Sequence, residues 1–206
     1  MFKRKCKITY ICHGATVHSE DSRLCHDEKY PPLEENGQEE IKKICEYLKR
    51  RGVKSDKIYS SPAARCIQSA NLIAKVFRQD FEIIPELNSR NWGKWNGCTL
   101  DKIVKKYGFT YDEASPSVLA LTPDGGEGMI DFNGRVSKVI SNLVDKNVDS
   151  RLTVITGPNV IQSVVATTLG VPPEKQARIL IKPGSITQIS YFEDWSSLIY
   201  SGIVPL

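Results

Sequence analysis

The stretch KITYICHGATVHSE, residues 7–20, joins a short apolar strand to a histidine in a glycine turn. The apolar run over 8–11 predicts a β-strand that ends at Cys12 and His13. A histidine between a strand end and a glycine turn is typical of an exposed nucleophile. Cys12, however, stands where a phosphate-handling site would have a cation. The stretch therefore raises the alternative of a working active site or the remains of one.

Strand and helix signals alternate along the rest of the chain. Apolar residues at 41, 44, 45 and 48 mark one face of a helix, and Gly52 ends it. One helix is expected to start at Pro62, with Ser61 as the residue that caps it. A later helix is expected to be capped by Thr99. The predicted strands are 7–11, 56–61, 81–87, 151–156, 185–192 and 196–202, and the predicted helices are 34–52, 62–77, 99–108, 127–144 and 159–170.

This alternation predicts an α/β fold with three layers, α/β/α, around a mostly parallel sheet. No repeat, low-complexity tract or linker interrupts the 206 residues, so we expect one domain over 1–206. Active sites in such sheets lie beyond the carboxyl ends of the strands. That rule brings together four predicted loops, 12–19, 60–65, 88–97 and 156–160.

Composition narrows the class of protein. Hydrophobic residues make up 40% and charged residues 25%, as in ordinary globular domains, and the net charge is +4. The basic residues are scattered, which argues against nucleic-acid binding. No apolar run is long enough for a signal peptide or a membrane span. Six cysteines without a C-x-x-C pair are expected to be reduced thiols, and we predict a cytoplasmic protein.

A second stretch, YSSPAARC at 59–66, is suited to an anion. A serine-capped helix start offers backbone N–H groups, and Arg65 in the first turn adds a positive charge with forked donors. A lone arginine on a helix is more often a surface residue, so its significance depends on its neighbours.

Six segments, in order along the chain, resemble the histidine phosphatase superfamily, the phosphoglycerate-mutase-like proteins. The opening motif of that family, Arg-His-Gly-x-Thr, is similar to ICHGATVHS at 11–19, and its Ser-Ser-Pro-x-x-Arg helix is similar to IYSSPAARCIQSANLIA at 58–74. The other four segments are PPLEENGQEEI at 31–41, LNSRNWGKWNGCT at 87–99, PDGGE at 123–127 and TVITGPNVIQSVVATTLG at 153–170. The resemblance implies the phosphoglycerate-mutase-like fold.

The resemblance also implies a chemistry, hydrolysis or transfer of a phosphate monoester without a cofactor or metal. A histidine attacks phosphorus, two arginines and a second histidine hold the phosphoryl oxygens, and a carboxylic acid protonates the leaving oxygen. His13 corresponds to the nucleophile and Arg65 to one arginine, while Gly14, Thr16 and Ser19 are expected to contribute to substrate binding.

Three corresponding positions carry other residues. Cys12 replaces the second arginine, Ser89 the acid and Gly157 the second histidine. Losing one preorganised donor costs about 3–4 kcal/mol, and losing a general acid costs about 10²–10⁴ in rate. We therefore expect weak or absent turnover. Candidate replacements for the missing groups are Glu86, Glu127, Lys94 and Arg90, of which Glu127 corresponds to a structural glutamate of the family.

Three other hypotheses remain at this point. One is that the chain binds a phosphorylated small molecule or inorganic phosphate without turning it over, alone, as a homodimer or beside an active homologue. The Cys-His pairs at 12–13 and 25–26, with His18 between them, could bind zinc, although their spacing matches no standard pattern. Cys12 could itself be a nucleophile, although neighbouring strand residues point to opposite sides.

Residues 108–126 lie where the family builds a cap over the substrate, and they carry Tyr111, Asp112, Glu113 and Leu119. The chain has none of the long insertions of the glycolytic mutases, which favours a phosphatase over a mutase.

Overall fold

A six-stranded sheet organises the fold in a computed structural model that describes residues 5–21, 23–107 and 118–206. Its strands are β1 (Cys6–Cys12), β2 (Lys57–Ser60), β3 (Glu82–Ile83), β4 (Ser150–Thr156), β5 (Ile186–Tyr191) and β6 (Ser196–Ile203). They lie in the order β3-β2-β4-β1-β5-β6. The first four are parallel, β5 is antiparallel to β1, and β6 is antiparallel to β5. The mostly parallel sheet that the sequence predicts is confirmed.

Helices cover both faces of this sheet. They are α1 (Val17–Glu20), α2 (Glu35–Arg50), α3 (Ala64–Phe77), α4 (Leu100–Tyr107), α5 (Met129–Lys146) and α6 (Pro158–Leu169). Successive residues of β1 pack against different helix layers, because successive side chains of a strand point to opposite faces of the sheet. Tyr10 packs in one apolar cluster with Phe132 and Val160 of α5 and α6. Ile11 packs in another with the apolar faces of α2 and α3.

Several predicted boundaries were wrong, among them the end of β3 and the starts of α3 and α5. The third strand has two residues because Pro85, which has no N–H to donate, begins a 3₁₀ turn over Pro85–Leu87. Helix α3 begins at Ala64, not at Pro62, since the Ser61 N–H still donates to the Ile155 carbonyl of β4 at 2.9 Å. Helix α5 begins at Met129, two residues later than predicted, with Gly128 before its first turn.

Part of the predicted cap segment, residues 108–117, lies outside the described residues and includes Tyr111, Asp112 and Glu113. Leu119 is described and partly buried. In the part of the chain that the structure describes, the six cysteines form no disulfide. Within the described ranges, no helix has the length and apolar character that crossing a bilayer requires.

Candidate active site

A cavity of about 400 Å³ lies at the edge of the sheet where β1, β2 and β4 end. Each of the four predicted loops contributes to its lining, with His13, Arg65, Ser89 and Asn159 among the side chains. The carboxyl ends of parallel strands meet at one edge, which explains why residues so distant in sequence share one cavity. Its size is in the range of small-molecule sites.

His13 is fixed by hydrogen bonds on three sides. Its N–H donates to the Thr156 carbonyl at 3.1 Å, and its carbonyl accepts from the Gly184 N–H at 2.9 Å. Its Nδ1 lies 2.8 Å from the Gly14 carbonyl oxygen. A carbonyl only accepts, so in the neutral ring Nδ1 carries the proton. The lone pair is therefore on Nε2, the nitrogen that can act as a nucleophile.

The protonation state of His13 follows from its surroundings. Burial disfavours the charged ring and the nearby Arg65 repels it, and together they lower the pKa of His13 from 6.5 to about 3. The side chain is only 5% exposed. His13 is therefore neutral at physiological pH, as a nucleophilic imidazole must be.

Arg65 supplies a buried positive charge beside His13. Its Nη1 donates to the Asp27 carbonyl at 3.0 Å, and no ion pair of the described residues includes it. The sequence predicts that backbone N–H groups at the start of α3 also bind an anion. The Ala64 N–H is not available for this, because it already donates to the Glu28 carbonyl at 2.6 Å. An anion here would thus be held mainly by the Arg65 guanidinium.

The loop after β1 places two hydroxyl groups in the cavity and uses one glycine for packing. Thr16 and Ser19 both line the cavity, and the Thr16 N–H donates to Ser19 Oγ at 3.0 Å. Gly14 contacts the first turn of α2 so closely that an added Cβ would lie 2.1 Å from the Gly37 oxygen. The Gly14 N–H is directed to Ser69 Oγ at 3.4 Å, so Gly14 positions His13.

Cys12 lies away from the cavity. Its side chain is fully buried in the apolar cluster that contains Tyr10 and Val160, and it is not among the lining residues. Burial raises the pKa of the Cys12 thiol well above 9 and keeps it protonated. Cys12 therefore has neither the position nor the ionisation of a nucleophile.

Ser89 and Gly157 face each other. A Cβ added to Gly157 would lie 2.8 Å from Ser89 Oγ and 3.7 Å from Asn159 Oδ1. That Asn159 oxygen is buried and has no hydrogen-bond partner among the described residues. The positions that correspond to the family's acid and second histidine are thus neighbours, with an asparagine amide beside them.

Two of the candidate replacement groups, Arg90 and Glu127, are bonded to other protein groups. Arg90 lines the cavity, but its Nε and Nη2 donate to the carbonyls of Glu127 and Leu121 at 2.9 and 2.6 Å, and burial lowers its pKa to about 10. Glu127 forms an ion pair with Arg135 at 2.8 Å. None of these groups is free to bind a substrate phosphate or to donate a proton to it.

The other two candidate replacements, Glu86 and Lys94, do not line the cavity that contains His13. Glu86 lines a separate cavity between β3 and α5. Lys94 is exposed and pairs with Asp124 at 3.4 Å. Among the lining residues that the structure describes there is no Asp or Glu.

The Cys-His hypothesis of a metal site finds no support. The described residues contain no group of three or more His, Cys, Asp or Glu side chains that could hold a metal ion. Of the residues considered, Cys12 is in the core, and His26 Nδ1 lies 2.8 Å from the Ser89 carbonyl.

Part of the lining was missed from the sequence. The segment 176–183 closes one side of the cavity, and Arg23, Leu24 and Cys25 line another. Strand β5 is antiparallel to β1, so its amino end reaches the edge where β1 ends, and Ser185 accepts from the Cys12 N–H at 2.9 Å. A strand's direction in the sheet cannot be read from its own sequence.

Comparison with known proteins agrees with this geometry. A family model described as "Histidine phosphatase superfamily (branch 1)" matches residues 8–200. The chain belongs to the histidine phosphatase superfamily.

Relatives within the superfamily carry two kinds of name. The chain is 23% identical to the adenosylcobalamin/alpha-ribazole phosphatase of Escherichia coli over 192 residues, covering 93% of each protein. It is 32% identical to a 2,3-bisphosphoglycerate-dependent phosphoglycerate mutase of Bartonella henselae over 111 residues, covering 52% of this chain and 54% of that protein.

Solved structures share the fold of this superfamily member. The alpha-ribazole phosphatase of Shigella flexneri has a TM-score of 0.80 at 21% identity, with 97% of this chain and 98% of that one covered. A mycobacterial glucosyl-3-phosphoglycerate phosphatase in complex with VO3 has a TM-score of 0.80 at 19% identity, with 95% and 98% covered.

Proposed function

We propose that this histidine phosphatase superfamily protein binds phosphate monoesters between His13 and Arg65 and hydrolyses them weakly or not at all. The observation that supports this proposal is one cavity that contains a neutral imidazole and a buried guanidinium without a carboxylate partner, but no described carboxylate in its lining. The groups that attract a phosphate are present, whereas a proton donor is missing from the described lining.

Both steps of the proposed reaction need a proton-transfer group that the described lining does not contain. His13 Nε2 would form a bond to phosphorus while the bond from phosphorus to the ester oxygen breaks. The departing oxygen then needs a proton, and the Ser89 hydroxyl is far less acidic than the carboxyl expected there. Water must next attack the phosphohistidine, and the same missing group would act as its base. Loss of that group reduces the rate by about 10²–10⁴.

The proposal also covers the chemical class of the ligand and the cellular compartment of the protein. Relatives named as phosphatases and phosphoglycerate mutases support a phosphorylated small molecule or inorganic phosphate as the ligand. The free cysteines support a reducing compartment, so we place the protein in the cytoplasm.

Phosphate binding is tested by thermal unfolding with and without millimolar phosphate. A ligand that binds the folded state raises the melting temperature, so the parent protein should shift upward. Arg65→Met keeps a long side chain but removes the charge, and it should abolish the shift. Arg50→Met, on the exposed end of α2, is the matched control and should keep it. Absence of a shift in the parent would contradict the binding proposal.

Turnover is tested separately with glycerol 2-phosphate, whose alkoxide leaving group needs a proton as the bond from phosphorus to oxygen breaks. The parent should hydrolyse it near the background rate, and His13→Asn should change that rate little. A high rate that disappears in His13→Asn would show that the protein is an active phosphatase with a proton donor from another residue.

A further inference from the structure

His18 lines the same cavity as His13 and Arg65, and one of its ring nitrogens is unused. Its Nδ1 atom is buried and has no hydrogen-bond partner among the described residues. Buried polar atoms of folded proteins are paired in most cases, because an unpaired one has lost its water without a replacement. An unpaired nitrogen in the wall of a cavity therefore indicates a group that a ligand completes.

Short-range contacts fix the position of the His18 ring. His18 lies on α1, and its carbonyl accepts from the Arg23 N–H at 3.0 Å. Its ring contacts Tyr30 edge-on, with ring centroids 5.4 Å apart. The hydroxyl oxygens of Thr16 and Ser19, on either side of His18 in the chain, lie 3.2 Å apart and bond to each other. In this loop the Nδ1 atom is thus the polar group that the described residues leave unengaged.

The turn over 27–30 contacts both His18 and Arg65. The Asp27 carbonyl accepts from Arg65 Nη1 at 3.0 Å, and Asp27 Oδ1 accepts from the Tyr30 N–H at 3.0 Å. The Tyr30 ring lies against His18. The same turn therefore holds the guanidinium and the imidazole at one part of the cavity wall.

The charges around His18 keep its ring neutral in the free protein. Burial lowers the pKa of His18 from 6.5, and the charges of Arg23 and Arg65 lower it further. Asp21 raises this pKa, but its carboxylate lies 2.6 Å from Arg23 Nη2. Burial and the Arg65 charge also lower the pKa of His13. Because charge effects fall off within about 10 Å, the Arg65 guanidinium lies close to both imidazoles.

The proposed phosphate site is short of donors. A phosphoryl group presents three oxygens that accept hydrogen bonds. Arg65 Nη1 already donates to the Asp27 carbonyl, and Cys12, which corresponds to the family's second arginine, lies in the core. Arg90 donates to three carbonyls. An unengaged nitrogen beside Arg65 is therefore suited to one of the phosphoryl oxygens.

We infer that His18 is a third phosphate-binding side chain, which donates from Nδ1 to a phosphoryl oxygen in the role of the arginine that Cys12 does not supply. This inference rests on the proposed phosphate binding at His13 and Arg65. An ionised phosphoryl oxygen only accepts, so its approach selects the His18 tautomer with the proton on Nδ1. No proton is transferred, so His18 adds to binding and does not replace the missing acid of the hydrolysis.

Calorimetric titration of the parent and two His18 variants with inorganic phosphate tests the inference. His18→Asn and His18→Leu introduce side chains of similar branched shape, but only asparagine has an amide N–H that can donate from the place of Nδ1. His18→Leu should bind phosphate at least about ten-fold more weakly than the parent, because a hydrogen bond to a charged group is lost. His18→Asn should bind within about three-fold of the parent.

Two further variants serve as controls. His26→Asn replaces a histidine that does not line the cavity, and the asparagine can still donate to the Ser89 carbonyl, so phosphate affinity should be unchanged. His18→Ala lacks both the donor and the bulk of leucine. It should bind phosphate as weakly as His18→Leu, which shows that the loss does not come from a poorly fitting leucine.

The outcomes separate this inference from the proposed function. If Arg65→Met abolishes phosphate binding but His18→Leu and His18→Ala bind like the parent, the anion site stands and His18 is not part of it. If His18→Asn is weakened as much as His18→Leu, the ring acts by packing on Tyr30 and donates no hydrogen bond, which also overturns the inference. If the parent binds no phosphate, the proposed function is wrong and this inference with it.

Discussion

The chemical state of His13 depends on burial and on one neighbouring charge. The ring is almost inaccessible, Arg65 lies beside it, and its Nδ1 proton is held by the Gly14 carbonyl. These features keep the imidazole neutral and oriented, which is what nucleophilic attack on phosphorus requires. The described lining of the same cavity contains no carboxylate, which is why we propose that His13 can accept a phosphoryl group but has no proton donor beside it.

A titration of stability against pH tests this state of His13. Its pKa is 6.5 in an unfolded chain and about 3 in the folded protein, so between these values only the unfolded chain binds the proton. Stability contributed by the neutral ring is complete above pH 6.5 and is lost as the pH falls towards 3. In His13→Asn, the amide can still donate to the Gly14 carbonyl but cannot titrate.

Urea unfolding of both proteins at several pH values gives the measurement. Within that window, the parent should lose about 1.4 kcal/mol of stability per pH unit more than His13→Asn. Above pH 6.5 the difference between the two should be constant. Parallel curves across the window would mean that His13 keeps an ordinary pKa in the folded protein.

At the scale of elements, the packing of the β1 loop on α2 holds the site together. Gly14 and Gly37 bring the two backbones into contact, and an added Cβ on Gly37 would lie 2.2 Å from the Ala15 oxygen. The Ala15 N–H also donates to Glu40 Oε2 at 2.8 Å. Helix α2 thus fixes the loop that carries His13 without lining the cavity itself.

Two Gly→Ala substitutions separate this contact from general helix effects. Gly37→Ala should destabilise the protein by about 1–3 kcal/mol and weaken phosphate binding, because the loop must move away from α2. Gly134→Ala lies on α5, where nothing is within 4 Å of the added Cβ, and it should stabilise by about 0.5–1 kcal/mol. Denaturant unfolding and a phosphate titration would measure both. Equal effects of the two substitutions would contradict the packing argument.

For the whole molecule, the site depends on loops brought together from distant parts of the chain. Ser89 follows β3 and Gly157 follows β4, yet a Cβ on Gly157 would contact Ser89 Oγ at 2.8 Å. Cys12 is different, because it is fully buried and an arginine there would place a charge in the core. Restoring the family's chemistry should therefore begin at 89 and 157.

The variant Ser89→Glu with Gly157→His tests this assignment. The carboxyl can protonate the leaving oxygen and the imidazole can donate to the phosphoryl group, so hydrolysis of glycerol 2-phosphate, whose leaving alkoxide needs a proton, should rise at least ten-fold above the parent. The gain should exceed the product of the single gains, because catalytic groups act as a unit. Adding His13→Asn should remove it. A folded double variant that forms no phosphohistidine would mean that these positions do not act on the bound phosphate.

Local patterns were sufficient for much of this molecule. The alternation of strands and helices and the loops of His13, Arg65, Ser89 and Gly157 depend on short-range signals, and the structure brings those loops together. The wall at 176–183 could not be predicted, because it depends on the antiparallel placement of β5. The hydrogen bonds of Arg90 could not be predicted either, because its carbonyl partners at 119, 121 and 127 lie far along the chain.

The order of strands has a consequence for synthesis on the ribosome. Strand β1 is made before the other five strands, but among the described residues it pairs only with β4 and β5, which begin at Ser150 and Ile186. At about 5–20 residues per second, its apolar residues wait on the order of 10–30 s for the first partner strand to emerge. The nascent chain therefore carries an unpaired, aggregation-prone strand until β4 has been made, and His13 acquires its pocket only after the segment that leads into β5 has followed.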